Sequence, residues 1–264
     1  MIIRKLFFLA VVGAAALACA AETPAADSLA EGKSAVAAAE AKLSAAELEQ
    51  RGDIFRSQND LDEARKYYDR ALKKNARNPK LWNKLGVMSL KTRDYPQAQG
   101  EFSQAIKYDK RFAEAVNNLG VVFFFKKDYV RASAQYRKAI ELADTASFHS
   151  NLGALYFETD DPQRALEQYR IAVQMDPQVL ERNSATGVSA HAGNAIDRGR
   201  YAFLMARLYA KLGDVDHSLS HLKNAVQNGY KPPEDFMTDT DFATVRLDPR
   251  FPDVMSTPVE PASQ

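Results

Sequence analysis

The chain has 264 residues with 35 basic and 34 acidic side chains, a near-balance that gives no polybasic footprint for nucleic acid or for an anionic membrane surface. A single cysteine excludes an intrachain disulfide framework. Hydrophobic residues make up 46%, enough to form a core, which excludes a chain that is disordered throughout.

Residues 1–20 begin with Arg4 and Lys5, continue as an apolar run from Leu6 to Ala18 and end in small residues. The run is short for a membrane-spanning helix, which needs about 20 apolar residues, and its order is that of a secretory signal peptide. An exported protein is expected, either in the periplasm or lipid-anchored to a bacterial envelope membrane. Two endings stay open. Ala18-Cys19-Ala20 satisfies the small-x-small rule of ordinary cleavage, whereas Ala16-Leu17-Ala18-Cys19 resembles a lipoprotein box that would place a diacylated Cys19 at the new N-terminus. Leu17 sits two residues before the cysteine, where such boxes prefer three. Residues 21–33 are small, polar and Ala/Pro-rich, the composition of a flexible tether.

Residues 34–179 carry a lead-in helix from Ser34 and then a repeated segment, at about 45–78, 79–112, 113–145 and 146–179. Gly52, Gly86, Gly120 and Gly153 recur in one register with Ala64, Ala98, Ala132 and Ala165. Tyr68, Phe102, Tyr136 and Tyr169 follow, then Ala71, Ala105, Ala139 and Ala172. Glycine at position 8 and alanine at position 20 leave room for two helices to cross closely, while the aromatic at 24 and alanine at 27 are expected to face the next unit. Asp60, Asp94, Asp128 and Asp161 hold position 16, suited to start the second helix of each unit as an N-cap or in its first turn.

Trp82-x2-Leu85-Gly86, followed by Ala98 and Phe102, has the W-x2-L-G…A-x3-F order by which the chain resembles the tetratricopeptide-repeat family. The resemblance implies an all-α solenoid, a right-handed superhelix of helix-turn-helix repeats. Trp82 reads as a core residue whose replacement by alanine costs about 3–5 kcal/mol.

Residues 180–198, with Gly187, Gly193 and a Ser/Ala/Asn background, interrupt the register and read as an insertion loop of mobile-linker composition. The pattern resumes over 199–232 as a divergent fifth repeat, with Ala206 in place of glycine and Ser218 in place of alanine. Residues 233–255 are expected to form a short helical C-terminal cap that lays Phe236, Phe242, Val245, Leu247 and Phe251 over the open end of the stack. Residues 256–264 read as a disordered tail.

No catalytic constellation emerges: there is no phosphate-binding glycine loop and no nucleophile elbow. His217 and His221 lie four apart, but Ser-Leu-Ser between them lacks the glutamate of a zinc hydrolase, so they read as exposed helical histidines, and no metal or cofactor is expected. The family resemblance implies instead a non-catalytic protein-protein interaction scaffold that takes a partner's helix or extended peptide in a concave groove. Carried over position by position, repeats 2 to 4 supply Lys80, Asn83, Val87 and Leu90, then Asn117, Val121, Phe124 and Phe125, then Ser150 and Phe157. Asn118 and Asn151 would bond a peptide backbone. Three consecutive phenylalanines span about 200° of a helix and so cannot all face one packing partner. Phe123, at position 11, is assigned to the core, and Phe124 and Phe125 either pack under a neighbour or, the reading preferred, face the groove. In family members that clamp acidic chaperone tails, positions 5 and 9 carry lysine and asparagine; Glu49 and Asp53 stand there in repeat 1, against that ligand class. The alternative to a partner-binding scaffold is a self-associating module, a homo-oligomer; a metal-dependent activity comes last.

Overall fold

The computed structural model describes residues 42–180 and 195–259, and every regular element among them is helical. The signal segment with Cys19, the tether, the lead-in up to residue 41, the insertion residues 181–194 and the last five residues lie outside the described residues. Repeat 1 pairs α1 (Ala45–Ser57) with α2 (Leu61–Lys74), and repeat 2 pairs α3 (Pro79–Lys91) with α4 (Tyr95–Tyr108). Repeat 3 is α5 (Ala113–Phe125) and α6 (Tyr129–Leu142), and repeat 4 is α7 (Ala146–Glu158) and α8 (Pro162–Met175). Repeat 5 is α9 (Ala195–Lys211) and α10 (Val215–Gln227), with α9 starting four residues before the expected 199.

Each hairpin turns in the same way, for a reason visible in the backbone. Asn59, Arg93, Lys127, Asp160 and Gly213 take the left-handed conformation, with φ between 58° and 77°. The next residue is the aspartate, whose N–H closes a six-residue ring onto the helix behind it: Asp60 to the Phe55 carbonyl, Asp94 to Ser89, Asp128 to Phe123, Asp161 to Tyr156 and Asp214 to Tyr209. Its carboxylate accepts the backbone N–H three residues ahead and so caps the second helix. One short motif therefore satisfies orphan carbonyls of the first helix and an orphan amide of the second.

In repeats 1 to 4 the two helices of each hairpin close tightly because the aromatic of the second lies on the glycine of the first. A Cβ built at Gly86 would lie 2.5 Å from the Phe102 ring, and at Gly52, Gly120 and Gly153 it would meet Tyr68, Tyr136 and Tyr169 at 2.4, 2.7 and 3.0 Å. The position-24 ring thus closes the crossing inside its unit, where the sequence suggested that it faces the next one. The second helix of one repeat packs on the first helix of the next (α2 on α3, α4 on α5, α6 on α7), and first helices also touch, α3 on α5 and α5 on α7. Apolar residues from repeats 2 to 5 join in one continuous core, as stacked units that cannot cover their own faces require.

In repeat 5 the crossing is rebuilt: Ala206 stands at position 8 and Leu222 at position 24, both fully buried, and Ser218 Oγ donates to the Ala206 carbonyl at 2.9 Å. Beyond it, 3-10 turns at Glu234–Met237 and Thr240–Phe242 lead into α11 (Ala243–Arg246) and α12 (Phe251–Met255). Phe236, Phe242, Val245 and Phe251 pack on Ala202, Phe203, Ala206 and Leu222. Leu247 points away and is 84% exposed, so it takes no part in the lid it was expected to join. The Arg246 guanidinium bonds the carbonyls of Phe236 and Asp239 at 3.0 and 2.7 Å, tying the 3-10 turns to α11.

Trp82 departs from the core expectation. Leu81 and Leu85 occupy the interior, while the indole lies half-buried over the preceding loop and donates Nε1–H to the Ala76 carbonyl at 2.9 Å. Its removal exposes little core, so the full core penalty does not apply.

Candidate functional site

The first helices of repeats 2 to 4 place the expected groove residues on neighbouring helices, but they do not form one open surface. Lys80 is exposed, Asn83, Val87 and Ser150 are half-buried, and Leu90 and Val121 are in the core. Asn117, Asn118 and Asn151 are each 4% exposed. They bond one another instead of facing solvent: Asn118 Nδ2 donates to Asn83 Oδ1 at 3.0 Å, Asn117 Nδ2 to Asn118 Oδ1 at 3.4 Å, and Asn151 Nδ2 to Asn117 Oδ1 at 2.9 Å. The asparagines expected to hold a peptide backbone thus form a ladder that stitches three repeats together, and a buried amide with such partners resists being withdrawn.

Phe157 is also corrected. It is 4% exposed, with the Arg200 guanidinium 4.4 Å above its ring and Tyr201 edge-on at 5.5 Å. Helix α9 covers it, so it is no surface anchor.

Phe124 and Phe125 do reach the surface, and two tyrosines join them. Tyr95 stacks on Phe125 at 5.7 Å between ring centroids, Phe125 meets Phe124 edge-on at 5.8 Å, and Phe124 meets Tyr129 at 5.7 Å. Phe125 is 43% exposed. The four rings make a ridge along the hairpin-turn edge of repeats 2 and 3. Sequence reasoning passed over Tyr95 and Tyr129 because they follow the capping aspartates at the turn; the available signal was an aromatic at position 17 in two successive repeats. Tyr129 donates to Glu158 Oε1 at 3.4 Å, and its phenol titrates above the ordinary range because it is partly desolvated and faces that carboxylate. Around the ridge stand Lys91, Arg93, Lys126 and Lys127, all exposed.

The junction of repeats 1 and 2 is polar by contrast. Lys84 Nζ bonds Glu49 Oε1 and Asp53 Oδ2, both at 2.7 Å, and Tyr68 donates to Asp53 Oδ1 at 2.7 Å. Partial burial acts to raise the Asp53 pKa, but the bonds from Lys84 and Tyr68 and the charges of Lys84 and Arg56 outweigh it and hold it below the usual range. Above them Arg65 reaches Glu101 at 2.7 Å and Ser89 Oγ at 2.6 Å in a partly buried network. The two acids that replace the clamp lysine and asparagine are therefore already neutralised from within.

A cleft of about 420 Å³ lies between α8 and α9, walled by Leu166, Leu204, Arg170, Arg207 and Lys211. Its charges pair among themselves: Arg170 with Glu167, Lys211 with Asp241, and Arg207 with Asp239. His217 Nδ1 lies 2.7 Å from Asp214 Oδ2, and His217 and His221 both stack on Tyr209. No group of three or more side chains able to hold a metal ion occurs among the described residues. Nor is any helix among them long and apolar enough to cross a membrane.

Family models for tetratricopeptide repeats match residues 52–92, 89–147 and 128–179. Residues 52–179 are tetratricopeptide repeats. Proteins built from tetratricopeptide repeats are generally interaction scaffolds without catalytic activity. The solved structure of Pseudomonas aeruginosa pilF is 19% identical, covers 74% of this chain and 80% of that chain, and superposes with a TM-score of 0.52. MamA from Desulfovibrio magneticus RS-1 is 16% identical, covers 70% of this chain and 94% of that chain, with a TM-score of 0.50. At such identities the likeness is one of fold. No curated protein sequence matches the chain.

Proposed function

We propose that this protein is a non-catalytic scaffold of the bacterial envelope that binds a helix or extended segment of a partner protein through its repeats. The carrying observation is the ridge of Tyr95, Phe125, Phe124 and Tyr129, in which a large aromatic stays 43% exposed although a folded core lies directly beneath it. Rigid aromatic faces rimmed by polar groups are the usual anchors of peptide-binding surfaces. With Phe157 covered by α9 and the asparagines engaged in their ladder, the surface narrows from repeats 2–4 to the turn edge of repeats 2 and 3. The envelope setting is supported by the signal-like order of Arg4, Lys5 and the apolar run to Ala18; Cys19 is the candidate anchor, and its acylation remains part of the proposal.

The test is crosslinking in the native envelope followed by binding of the captured protein to purified material. The wild type is compared with a Tyr95→Ala/Phe125→Ala variant whose melting curve is unchanged. A partner that binds the wild type directly and loses at least about tenfold in affinity with the variant supports the ridge. Equal binding to both sinks it, and a concentration-dependent dimer dispersed by the same variant would support self-association instead.

A further inference from the structure

We propose that the segment taken by the ridge is an acidic peptide, with Asp or Glu flanking a large apolar or aromatic anchor. This rests on the reading above and adds the chemistry of the ligand.

The fold leaves bases along the turn edge without carboxylate partners among the described residues. The acids along the turn edge are all engaged. Asp94 caps α4 through the Gln97 amide, Asp128 caps α6 and pairs with Arg131, Glu158 accepts from Tyr129, and Asp160 pairs with Arg200 at 2.9 Å. The bases are not. Lys91, Arg93 and Lys127 have no ion-pair partner among the described residues, and Lys126 meets only the neutral Gln99 amide, at 2.9 Å.

Arg93 and Lys127 are the residues that adopt the left-handed turn conformation, at φ 61° and 58°. They hold the same position in successive repeats, immediately before the capping aspartate. Repeat 1 has Asn59 at that position, repeat 4 has Asp160 and repeat 5 has Gly213. At this turn position a base therefore stands only in repeats 2 and 3, the same two repeats whose turn edge carries the aromatic ridge. Neither feature requires the other for folding. Charge and aromatic anchor coincide where a partner would need both, and carboxylates are the complement that the bases lack. At physiological ionic strength the Debye length is about 8 Å, so bases around the ridge act on the same bound segment. The four rings could support about five residues of extended chain.

The experiment pans a short random-peptide library on the purified protein, with the Tyr95→Ala/Phe125→Ala variant as counter-selection. Enriched peptides are then synthesised with a fluorophore and titrated by anisotropy. Acidic residues flanking an aromatic or leucine are expected, with affinity falling as salt rises. An Arg93→Glu/Lys127→Glu variant that melts like the wild type should bind about tenfold more weakly, while an Arg70→Glu control away from the turn edge should not. Neutral or basic peptides, or charge reversal without effect while Phe125→Ala abolishes binding, would overturn the acidic assignment and leave the ridge standing. No enrichment, or binding that survives Tyr95→Ala/Phe125→Ala, overturns the ridge as well. Sedimentation with anionic phosphatidylglycerol vesicles covers the remaining source of negative charge: vesicle binding lost on charge reversal, with no peptide enriched, would assign the edge to a membrane surface and refute the peptide.

Discussion

Repeats 1 to 4 and repeat 5 solve one packing problem with opposite pairs of residues. In the first four, glycine on one helix lies under an aromatic on the other; in the fifth, Ala206 lies against Leu222. A methyl is added on one side and a ring is removed on the other, so the crossing stays filled. The two residues at this crossing are complementary in size and are best read as a pair. A glycine taken alone reads as a breaker in a helix, about 1 kcal/mol worse than alanine. Under a ring that would sit 2.5 Å from an added methyl, it is the residue that permits the helices to meet.

The strongest way to break that comparison is to mix the two solutions. Gly86→Ala alone gains helix propensity but forces its Cβ into the Phe102 ring, an overpacking that should lower stability by about 2–3 kcal/mol. Phe102→Leu alone leaves a partly empty crossing and costs about 1–2 kcal/mol. The double variant reproduces the repeat-5 pair and should be more stable than the sum of the singles by about 1 kcal/mol or more, read from urea unfolding. Additive losses would show that the pairing is coincidental.

The columns carrying this pair were legible in the sequence because a solenoid writes the same contact several times, and so were the aspartate caps, each a local signal. What escaped is what depends on distant or divergent parts. Phe157 aligns with Phe124, yet Arg200 and Tyr201, placed over it by α9 from beyond the insertion, bury it; no spacing within repeat 4 announces that cover. The asparagines at positions 5 and 6 look like peptide-binding groups one repeat at a time. Only the register between repeats shows that Asn83, Asn118, Asn117 and Asn151 satisfy each other. Phe125 was legible from its repeat position together with the helical angle, whereas Tyr95, beside the capping Asp94, drew no assignment.

A second contrast separates the polar junction of repeats 1 and 2 from the amide ladder further along. Lys84→Met removes the cation shared by Glu49 and Asp53 and leaves two carboxylates facing each other at a partly exposed site, for a loss of about 1–2 kcal/mol at neutral pH. The folded pKa of Asp53 is depressed, so its contribution is fully present above the unfolded value, near 3.8, and disappears as pH falls through the folded value. The gap in stability between wild type and variant should therefore hold down to about pH 5 and narrow below about pH 4. A gap independent of pH would mean that Lys84 acts by packing its stem and by its contact with the Tyr68 ring, 5.7 Å away.

The smallest effect distinguishes the position-24 tyrosines from one another. Tyr68 donates to Asp53 and Tyr169 bonds Tyr201, but the Tyr136 hydroxyl is fully buried with no hydrogen-bond partner among the described residues, and desolvation pushes its pKa far up. Repeat 2 already carries phenylalanine at that position and packs it equally well on its glycine. Tyr136→Phe therefore loses no bond and sheds the cost of burying an unmet hydroxyl, so stability should stay level or rise by up to about 1 kcal/mol. Tyr68→Phe, which strips a bond from the partly exposed Asp53 while Lys84 still pairs with it, should instead cost about 1 kcal/mol. Equal losses from both substitutions would reveal an acceptor or a bound water at Tyr136 and would make the third repeat's crossing polar after all.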